Sequence, residues 1–169
     1  MNFNLDNLPE RTAKPRTNGL TMVMDKGLSV QEAENLLSVA EPYIDIMKLG
    51  FGTAFVTPDL EKKLAVYKSA KIPVYFGGTL LEAFIIRNQF EDYLRIIEKY
   101  KLEYVEVSDG SIEITHEKKC EYISRLAKQA TVLSEVGSKD ETKIIPPYKW
   151  IQQMKAELSA GAWKVIAEA

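Results

Sequence analysis

The chain has 169 residues, of which 46% are hydrophobic and 27% charged, and its formal net charge is −2. This length fits one domain with a substantial core, and the absence of a basic excess argues against nucleic acid as a partner. No apolar run approaches the ~18 residues that cross a bilayer, and the charged N-terminal residues are unlike a signal peptide. We therefore expect a cytoplasmic protein with no membrane partner.

Six short apolar runs recur along the chain, and each ends at a charged or glycine-bearing tip. The runs are 21–24, 44–47, 73–76, 104–107, 131–134 and 163–167. Their tips are Asp25 with Lys26, Lys48, the Gly-Gly-Thr of 77–79, Ser108 with Asp109, Glu135, and Glu168. Because the carboxyl ends of parallel strands meet at one rim, we expect these residues to converge there as an active site.

Segments with helical spacing separate the runs and predict the crossover helices that parallel strands need. Ser29 has the capping-box spacing at the start of the first helix, and Thr57 before a proline predicts the start of the second. Residues 80–86 predict a separate short helix at the rim. Thr115 and Gly161 predict the start of the fourth long helix and the end of the fifth.

This βα recurrence predicts an α/β fold with one domain and one continuous sheet over residues 19–169, preceded by an N-terminal segment at 1–18. An open doubly wound sheet and a TIM-type (β/α)8 barrel both fit the order of elements. The first strand lacks the G-x-G-x-x-G motif of a dinucleotide-binding fold, which favours the barrel. With six strands in the chain, about a quarter of such a barrel is absent.

Some charged or reactive residues are expected to lie outside the chemistry. Cys120 and His116 are four positions apart on one predicted helix, and we expect His116 to be an exposed residue of the first turn. The N-terminal cations Arg11, Lys14 and Arg16 either fold over one end of the barrel or belong to a solvated tail.

Two glycine-bearing tips indicate anion binding. Lys48 precedes Gly50 and Gly52, whose backbone can approach an anion closely. Residues 77–79 stand at a predicted helix start, where free N–H groups and the helix dipole favour negative charge. The Lys48 tip alone fits a tight turn with a solvated lysine equally well, and one glycine tip alone is weak evidence. Two such tips on neighbouring strands would give an anion donors from two sides.

Carboxylates at the strand ends suggest a cation site. These acids are Asp25, Asp109, Glu135 and Glu168. Mg²⁺ commonly uses one or two protein carboxylates together with substrate oxygens and water. The alternative is that the acids form structural ion pairs with rim lysines. Glu106 and Lys164 lie within strands, where an inward charge is costly unless it is paired or functional.

Read together, six motifs resemble the phosphosulfolactate synthase family. They are Lys14-Pro15-Arg16-Thr17 with Gly19, Lys48-Leu49-Gly50 with Gly52-Thr53, Gly77-Gly78-Thr79-Leu80, Ser108-Asp109-Gly110, Ser134-Glu135-Val136-Gly137 with Lys139, and 161–166. The resemblance runs from about Arg11 to the last residue. It implies a TIM-type barrel and a Mg²⁺-dependent addition of sulfite to phosphoenolpyruvate, giving 2-phospho-3-sulfolactate for coenzyme M biosynthesis.

For this implied reaction we hypothesise three groups of site residues. Catalytic roles fall to Lys48, Glu135, Lys139 and Lys164, with Lys139 or Lys164 as the proton donor. Substrate anions would bind Gly50, Gly52, Gly77, Gly78, Thr79 and Ser108. The metal ligands would be Glu135 and Asp109 with Asp25 or Glu168.

An alternative function follows from the number of strands. Family members reach barrel length, so this chain is either an enzyme whose barrel is completed by further chain or a non-catalytic, stress-associated binding or assembly protein of the same family. Open edges at the first and sixth strands would favour pairing between subunits, so we expect a homo-oligomer.

Overall fold

The computed structural model of the chain describes residues 4–138 and 144–168. Strands and helices alternate along it. The strands are β1 (Met22–Asp25), β2 (Ile46–Leu49), β3 (Val74–Phe76), β4 (Tyr104–Val107), β5 (Thr131–Gly137) and β6 (Ala162–Glu168). The α-helices are α1 (Val30–Ala40), α2 (Thr53–Val56), α3 (Leu60–Ser69), α4 (Gly78–Ile85), α5 (Phe90–Tyr100), α6 (His116–Leu126) and α7 (Pro147–Ala160). All six predicted strands are therefore present.

The strands form two parallel sheets of three, in the orders β1-β2-β3 and β4-β5-β6. Side chains join the sheets where the sequence predicts one continuous ladder. The Tyr75 hydroxyl of β3 and the Gly78 amide of α4 both donate to the carboxylate of Glu106 on β4. Strands β3 and β4 therefore lie side by side, held by a buried acid.

The two faces of the strands have different neighbours, as the period of two in a strand requires. Met22, Ile46, Tyr75, Leu133 and Ile166 pack together on the inner face of a partial barrel. The opposite face carries the larger core against the helices. This core includes Met47, Leu49, Phe76, Val105 and Val132.

Several predicted helix ends are confirmed by their capping contacts. The Ser29 hydroxyl accepts from the Glu32 amide at 3.2 Å while the Glu32 carboxylate accepts from the Ser29 amide at 2.7 Å. The Thr115 hydroxyl accepts from the Lys118 amide at the start of α6. Gly161 ends α7 at a φ of +118°, and α4 is the predicted short helix at the rim.

The predicted start of α3 at Thr57 is wrong by two residues. Thr57 instead follows the short helix α2, and its hydroxyl donates to the carbonyl of Thr53 at 2.7 Å. The chain then turns through Asp59, whose φ is +52°, before α3 begins at Leu60. Side-chain competition for a neighbouring carbonyl therefore overrides the Thr-Pro start signal.

The N-terminal segment folds over the amino ends of the strands, which decides between the two predicted alternatives. Arg16 forms a 2.6 Å ion pair with Asp45, and both side chains are nearly inaccessible. Lys14 lies 3.6 Å from Glu41 on the surface. Burial alone would raise the pKa of Asp45, but the Thr21 amide and Arg16 hold it below its ordinary value. Among the described helices, none is long and apolar enough to cross a membrane.

Candidate active site

Lys48 is the centre of a buried polar cluster at the carboxyl ends of the strands. It occupies the third position of β2, on the inner face that Ile46 also faces. Its ammonium lies 2.8 Å from Glu106 Oε1 and 2.8 Å from Glu135 Oε1. The structure thus brings together two predicted catalytic residues from strands 87 positions apart in sequence.

The protonation states in this cluster depend on each other. Burial by itself would lower the pKa of Lys48, but the charges of Glu106 and Glu135 raise it above its ordinary value. Burial, and then repulsion from Glu135, raise the pKa of Glu106 despite its contacts with Lys48 and the Gly78 amide. Lys48 is therefore cationic, and Glu106 binds a proton more readily than an ordinary glutamate does.

The glycine tip after β3 closes over this cluster. The Gly78 amide, at the first residue of α4, donates to Glu106 Oε1 at 2.6 Å. A Cβ at Gly77 would come within 3.0 Å of Lys48 Cε, and one at Gly78 within 2.1 Å of Ser108 Oγ. Two glycines are therefore needed for α4 to begin against the ion cluster, and its positive end is aimed at a carboxylate.

The other predicted anion-binding residues occupy the same rim. Gly50 donates its amide to the carbonyl of Asp25, and Gly52 adopts a φ of +69° before α2. Thr79 is the second residue of α4 and is partly buried. The Ser108 hydroxyl donates a hydrogen bond to the carboxylate of Glu82 in α4. Ser108 therefore already has a partner within the protein.

Asp25 corrects one part of the predicted metal site. Its carboxylate lies on the helix-facing side of β1, 2.7 Å from Lys63 Nζ and 2.9 Å from the Tyr67 hydroxyl. The amides of Gly27 and Leu28 donate to its other oxygen at 2.8 Å each. Burial opposes ionisation, yet these donors hold its pKa below the ordinary 3.8. Asp25 thus forms a structural ion pair with Lys63. Side chains alternate between the two faces of β1, and this alternation turns Asp25 away from Lys48.

Asp109 also lies apart from the inner cluster. Its carboxylate is 2.8 Å from Lys119 Nζ, on the helix-facing side of β4 and β5. Glu168 ends β6 opposite Gly137. Within residues 4–138 and 144–168, no three His, Cys, Asp or Glu side chains lie together in a group that could hold a metal ion. The predicted gathering of Asp25 and Asp109 around Glu135 is therefore not what the structure shows.

Of the two predicted proton donors, Lys164 lies on β6. Lys164 lies two residues before Ile166 on β6 and therefore shares its inner face. The Lys164 ammonium lies 4.6 Å from the ring centre of Trp163. Lys139 lies outside the described residues.

Two residues of the cluster were not assigned to the site from sequence. Glu106 carried a signal, an acid inside the apolar run of β4, whereas Tyr75 looks like an ordinary strand aromatic. Burial and the charge of Glu106 raise the pKa of the Tyr75 hydroxyl, so it stays a proton donor to that carboxylate.

His116, expected to be exposed, is instead partly buried and lies 3.1 Å from Glu157 Oε1.

Solved structures with a similar fold are TIM-barrel enzymes. The chain aligns with 3-hexulose-6-phosphate synthase at a TM-score of 0.54 and 19% identity, covering 88% of this chain and 66% of that one. It aligns with orotidine 5'-monophosphate decarboxylase from Sulfolobus solfataricus at 0.52 and 11%, covering 86% and 62%. The predicted TIM-type fold, present here as a partial barrel, is confirmed.

Sequence comparison identifies the family. The chain is 37% identical to phosphosulfolactate synthase of Bacillus subtilis over 99% of its length and 67% of that protein's. Against the enzymes of Methanothermobacter thermautotrophicus and Methanocaldococcus jannaschii, identity is 36% and 41%, and the chain spans 64% and 62% of their lengths. Residues 9–169 match the family model described as (2R)-phospho-3-sulfolactate synthase (ComA). The chain therefore belongs to the phosphosulfolactate synthase family.

Proposed function

We propose that this chain takes part in the Mg²⁺-dependent addition of sulfite to phosphoenolpyruvate, forming 2-phospho-3-sulfolactate. The observation that carries the proposal is the buried Lys48 held between Glu106 and Glu135 at the strand tips. The product named for the family supports the same reaction. A place in coenzyme M biosynthesis follows from the resemblance and stays a prediction.

The charge of the cluster explains why a cation would be required. One ammonium and two carboxylates leave an excess of negative charge, which opposes the entry of two anionic substrates. A divalent cation reverses that sign. Both oxygens of Glu106 already accept from Lys48, Gly78 and Tyr75, so Glu135 is the carboxylate of the cluster that would hold Mg²⁺. Mg²⁺ often takes one or two carboxylates plus substrate oxygens. When bound there, Mg²⁺ would supply a Lewis acid for negative charge that develops on the substrate.

The protein groups would serve successive needs of the reaction. Sulfite sulfur bonds to the methylene carbon of phosphoenolpyruvate, and the electron pair of the double bond moves toward the carboxylate. Lys48 would stabilise the resulting enediolate-like anion electrostatically. A proton must then reach the adjacent carbon. Lys164, on the inner side of β6, and Lys139 are the proposed donors.

The test is sulfite consumption in the presence of phosphoenolpyruvate and Mg²⁺. The unmodified chain should form 2-phospho-3-sulfolactate, identified by mass spectrometry. Lys48→Met and Glu135→Gln should each lower kcat/KM by about 100-fold or more, because each removes charge from the reacting centre. Lys62→Met, at an exposed lysine of α3, is the control and should keep the activity.

Two results would count against the proposal. One is a folded wild-type chain that consumes no sulfite, and the other is full activity in both cluster variants. Far-ultraviolet circular dichroism of every variant shows whether a loss of activity is a loss of folding.

The assembly alternative rests on exposed apolar side chains near the rim. Phe51, Phe55 and Val56 are 61%, 82% and 69% exposed in and before α2. Apolar groups gathered in this way often contact another protein. A folded, inactive chain that forms a defined oligomer would favour this function over catalysis.

A further inference from the structure

A second buried ion cluster lies on the helix-facing side of β4 and β5, behind the candidate active site. Its centre is Lys119 of α6, whose side chain is 2% exposed. The Lys119 ammonium lies 2.8 Å from Asp109 Oδ1 and 3.0 Å from Glu157 Oε1 of α7. Glu157 in turn contacts His116 and the Ser134 hydroxyl. The cluster thus ties two helices to the tips of two strands.

One contact connects this cluster to the inner one. The Lys119 ammonium also donates to the backbone carbonyl of Glu135. The side chain of the same residue points to the opposite face of β5 and holds Lys48 at 2.8 Å. A single residue is therefore fixed from both faces, through its carbonyl by Lys119 and through its carboxylate by Lys48.

The position of Glu135 makes this double restraint consequential. Its ladder partner lies on β6, because the ladder between β4 and β5 ends one residue earlier at the Val107–Ser134 pair. Two residues after Glu135, Gly137 has a φ of +148°. A rotation of the backbone at Glu135 would swing its carboxylate away from Lys48 and Glu106.

We propose that Lys119 is a positioning residue, which orients the Glu135 carboxylate toward Lys48 by holding the carbonyl of Glu135 from the helix layer. This inference rests on the proposed function for its effect on turnover, but not for its effect on Lys48. Asp109 and Glu157 act with Lys119, since their charges make a buried ammonium stable at that point.

A second buried lysine provides a matched control. Lys63 of α3 is equally inaccessible and lies 2.7 Å from Asp25, but its ion pair fixes the tip of β1 and does not involve Glu135. Replacing either lysine by methionine leaves carboxylates buried without their cation. Both variants should lose stability, whereas only Lys119→Met should disturb the inner cluster.

The experiment measures two properties of the full chain. The first is the rate at which acetic anhydride acetylates Lys48 at pH 7.5, followed by peptide mass spectrometry. Lys119→Met should raise this rate about tenfold, which lies within the range of couplings carried through packed networks, and Lys63→Met should leave it unchanged. The second is steady-state turnover, where Lys119→Met should lower kcat about 10–100-fold with KM changed less than about threefold.

A conservative variant separates positioning from loss of the fold. Lys119→Arg keeps the charge and offers several donors to the same three acceptors, so both readouts should stay near wild type. If Lys119→Met does not fold, Lys119→Gln replaces it, with the same direction expected for both readouts.

Three outcomes decide the matter. Faster acetylation of Lys48 in Lys119→Met alone supports the inference, even if the wild-type chain has no sulfite-adding activity. Unchanged acetylation and kcat in a folded Lys119→Met or Lys119→Gln variant would overturn it and leave the proposed function standing. Equal acceleration in Lys63→Met would also overturn it, because a general loosening would then explain the effect.

Discussion

Individual charged residues in this protein are buried together with their counter-ions. Lys48, Lys63 and Lys119 are each nearly inaccessible, and each contacts one or more carboxylates at hydrogen-bond distance. Removing one partner of such a pair typically costs more than the pair contributes, since the other charge stays buried without compensation. Substitutions at these residues therefore act on stability as well as on the site.

Asp25→Asn tests this at a residue outside the inner cluster. We expect the free energy of unfolding at pH 7 to fall by about 3–5 kcal/mol, because Lys63 is left buried without its counter-ion. The pKa of Asp25 is lowered from 3.8, so its contribution is present above that value and is lost as the pH falls through the folded-state pKa. The difference between the variant and wild type should therefore shrink below about pH 4.

Urea unfolding at pH 7 and at pH 3 measures this effect. Asp59→Asn is the control, because Asp59 forms an exposed ion pair with Lys62, and its effect should stay within about 0.5 kcal/mol at both pH values. Equal losses in the two variants would contradict the assignment of Asp25 as a buried structural acid.

At the scale of secondary structure, local sequence signals fix three of the helix ends. Ser29 and Thr115 cap helices through contacts within three residues, and Gly161 supplies the left-handed C-cap that L-residues rarely adopt. Thr57 fails as a start signal because its hydroxyl bonds back into α2. A cap is predictable where its partner is local and no neighbouring helix competes for it.

Ser29→Ala tests the energetic weight of the capping box. Loss of the hydroxyl leaves the Glu32 amide without its acceptor, so we expect the free energy of unfolding to fall by about 1 kcal/mol. Ser38→Ala, later in α1, removes a hydroxyl that bonds to Asn35, and should change stability by less than about 0.5 kcal/mol. Thermal unfolding of both variants measures the contrast, and an equal effect would show that the cap contributes nothing particular.

In α7, the neighbouring elements decide which residues are buried. Ile151 and Leu158 are large apolar residues of α7, yet they are 54% and 45% exposed. Glu157, a residue that the sequence pattern would leave in solvent, is fully buried against Lys119 and Ser134. The buried face of α7 is therefore set by the ion cluster it covers as much as by its own apolar residues.

For the molecule as a whole, polar side-chain contacts join parts of the fold that no strand ladder connects. Glu106 joins the two sheets through Tyr75 and Gly78. At the other end of the strands, Arg16 is buried against Asp45 and borders a cleft of about 500 Å³ that Tyr104 and Trp163 also line. The partial barrel is thus held at both ends by polar contacts.

Arg16→Met should lower the stability of the whole fold, because it removes the Arg16–Asp45 ion pair at the amino ends of the strands. Asp45 would keep the Thr21 amide and Arg11, which lies 3.6 Å away, but would lose its nearest cation. We therefore expect a loss of about 1.5–3 kcal/mol in the free energy of unfolding. Lys14→Met is the control, since the Lys14 pair with Glu41 is exposed and should contribute no more than about 1 kcal/mol. Urea denaturation at pH 7 distinguishes them, and matching losses would mean that burial of the Arg16 pair adds no stability.

The sequence by itself determined the order of strands and helices, the TIM-type fold and the family. Apolar runs, helical spacing and six ordered motifs are local signals, so they survive without knowledge of contacts. Lys48 and Glu135 were also identifiable, because both stand at the ends of apolar runs whose parallel arrangement brings them to one rim.

Only the tertiary structure decided which acids meet. Asp25 ends β1 and Glu135 lies two residues before the end of β5, but Asp25 faces the helices and Glu135 faces the barrel interior. Glu106 and Tyr75 enter the cluster, while Asp109 joins Lys119 on the far side of the sheet. The physical reason is that a strand turns alternate side chains to opposite faces. Which face is inside depends on contacts between residues tens of positions apart.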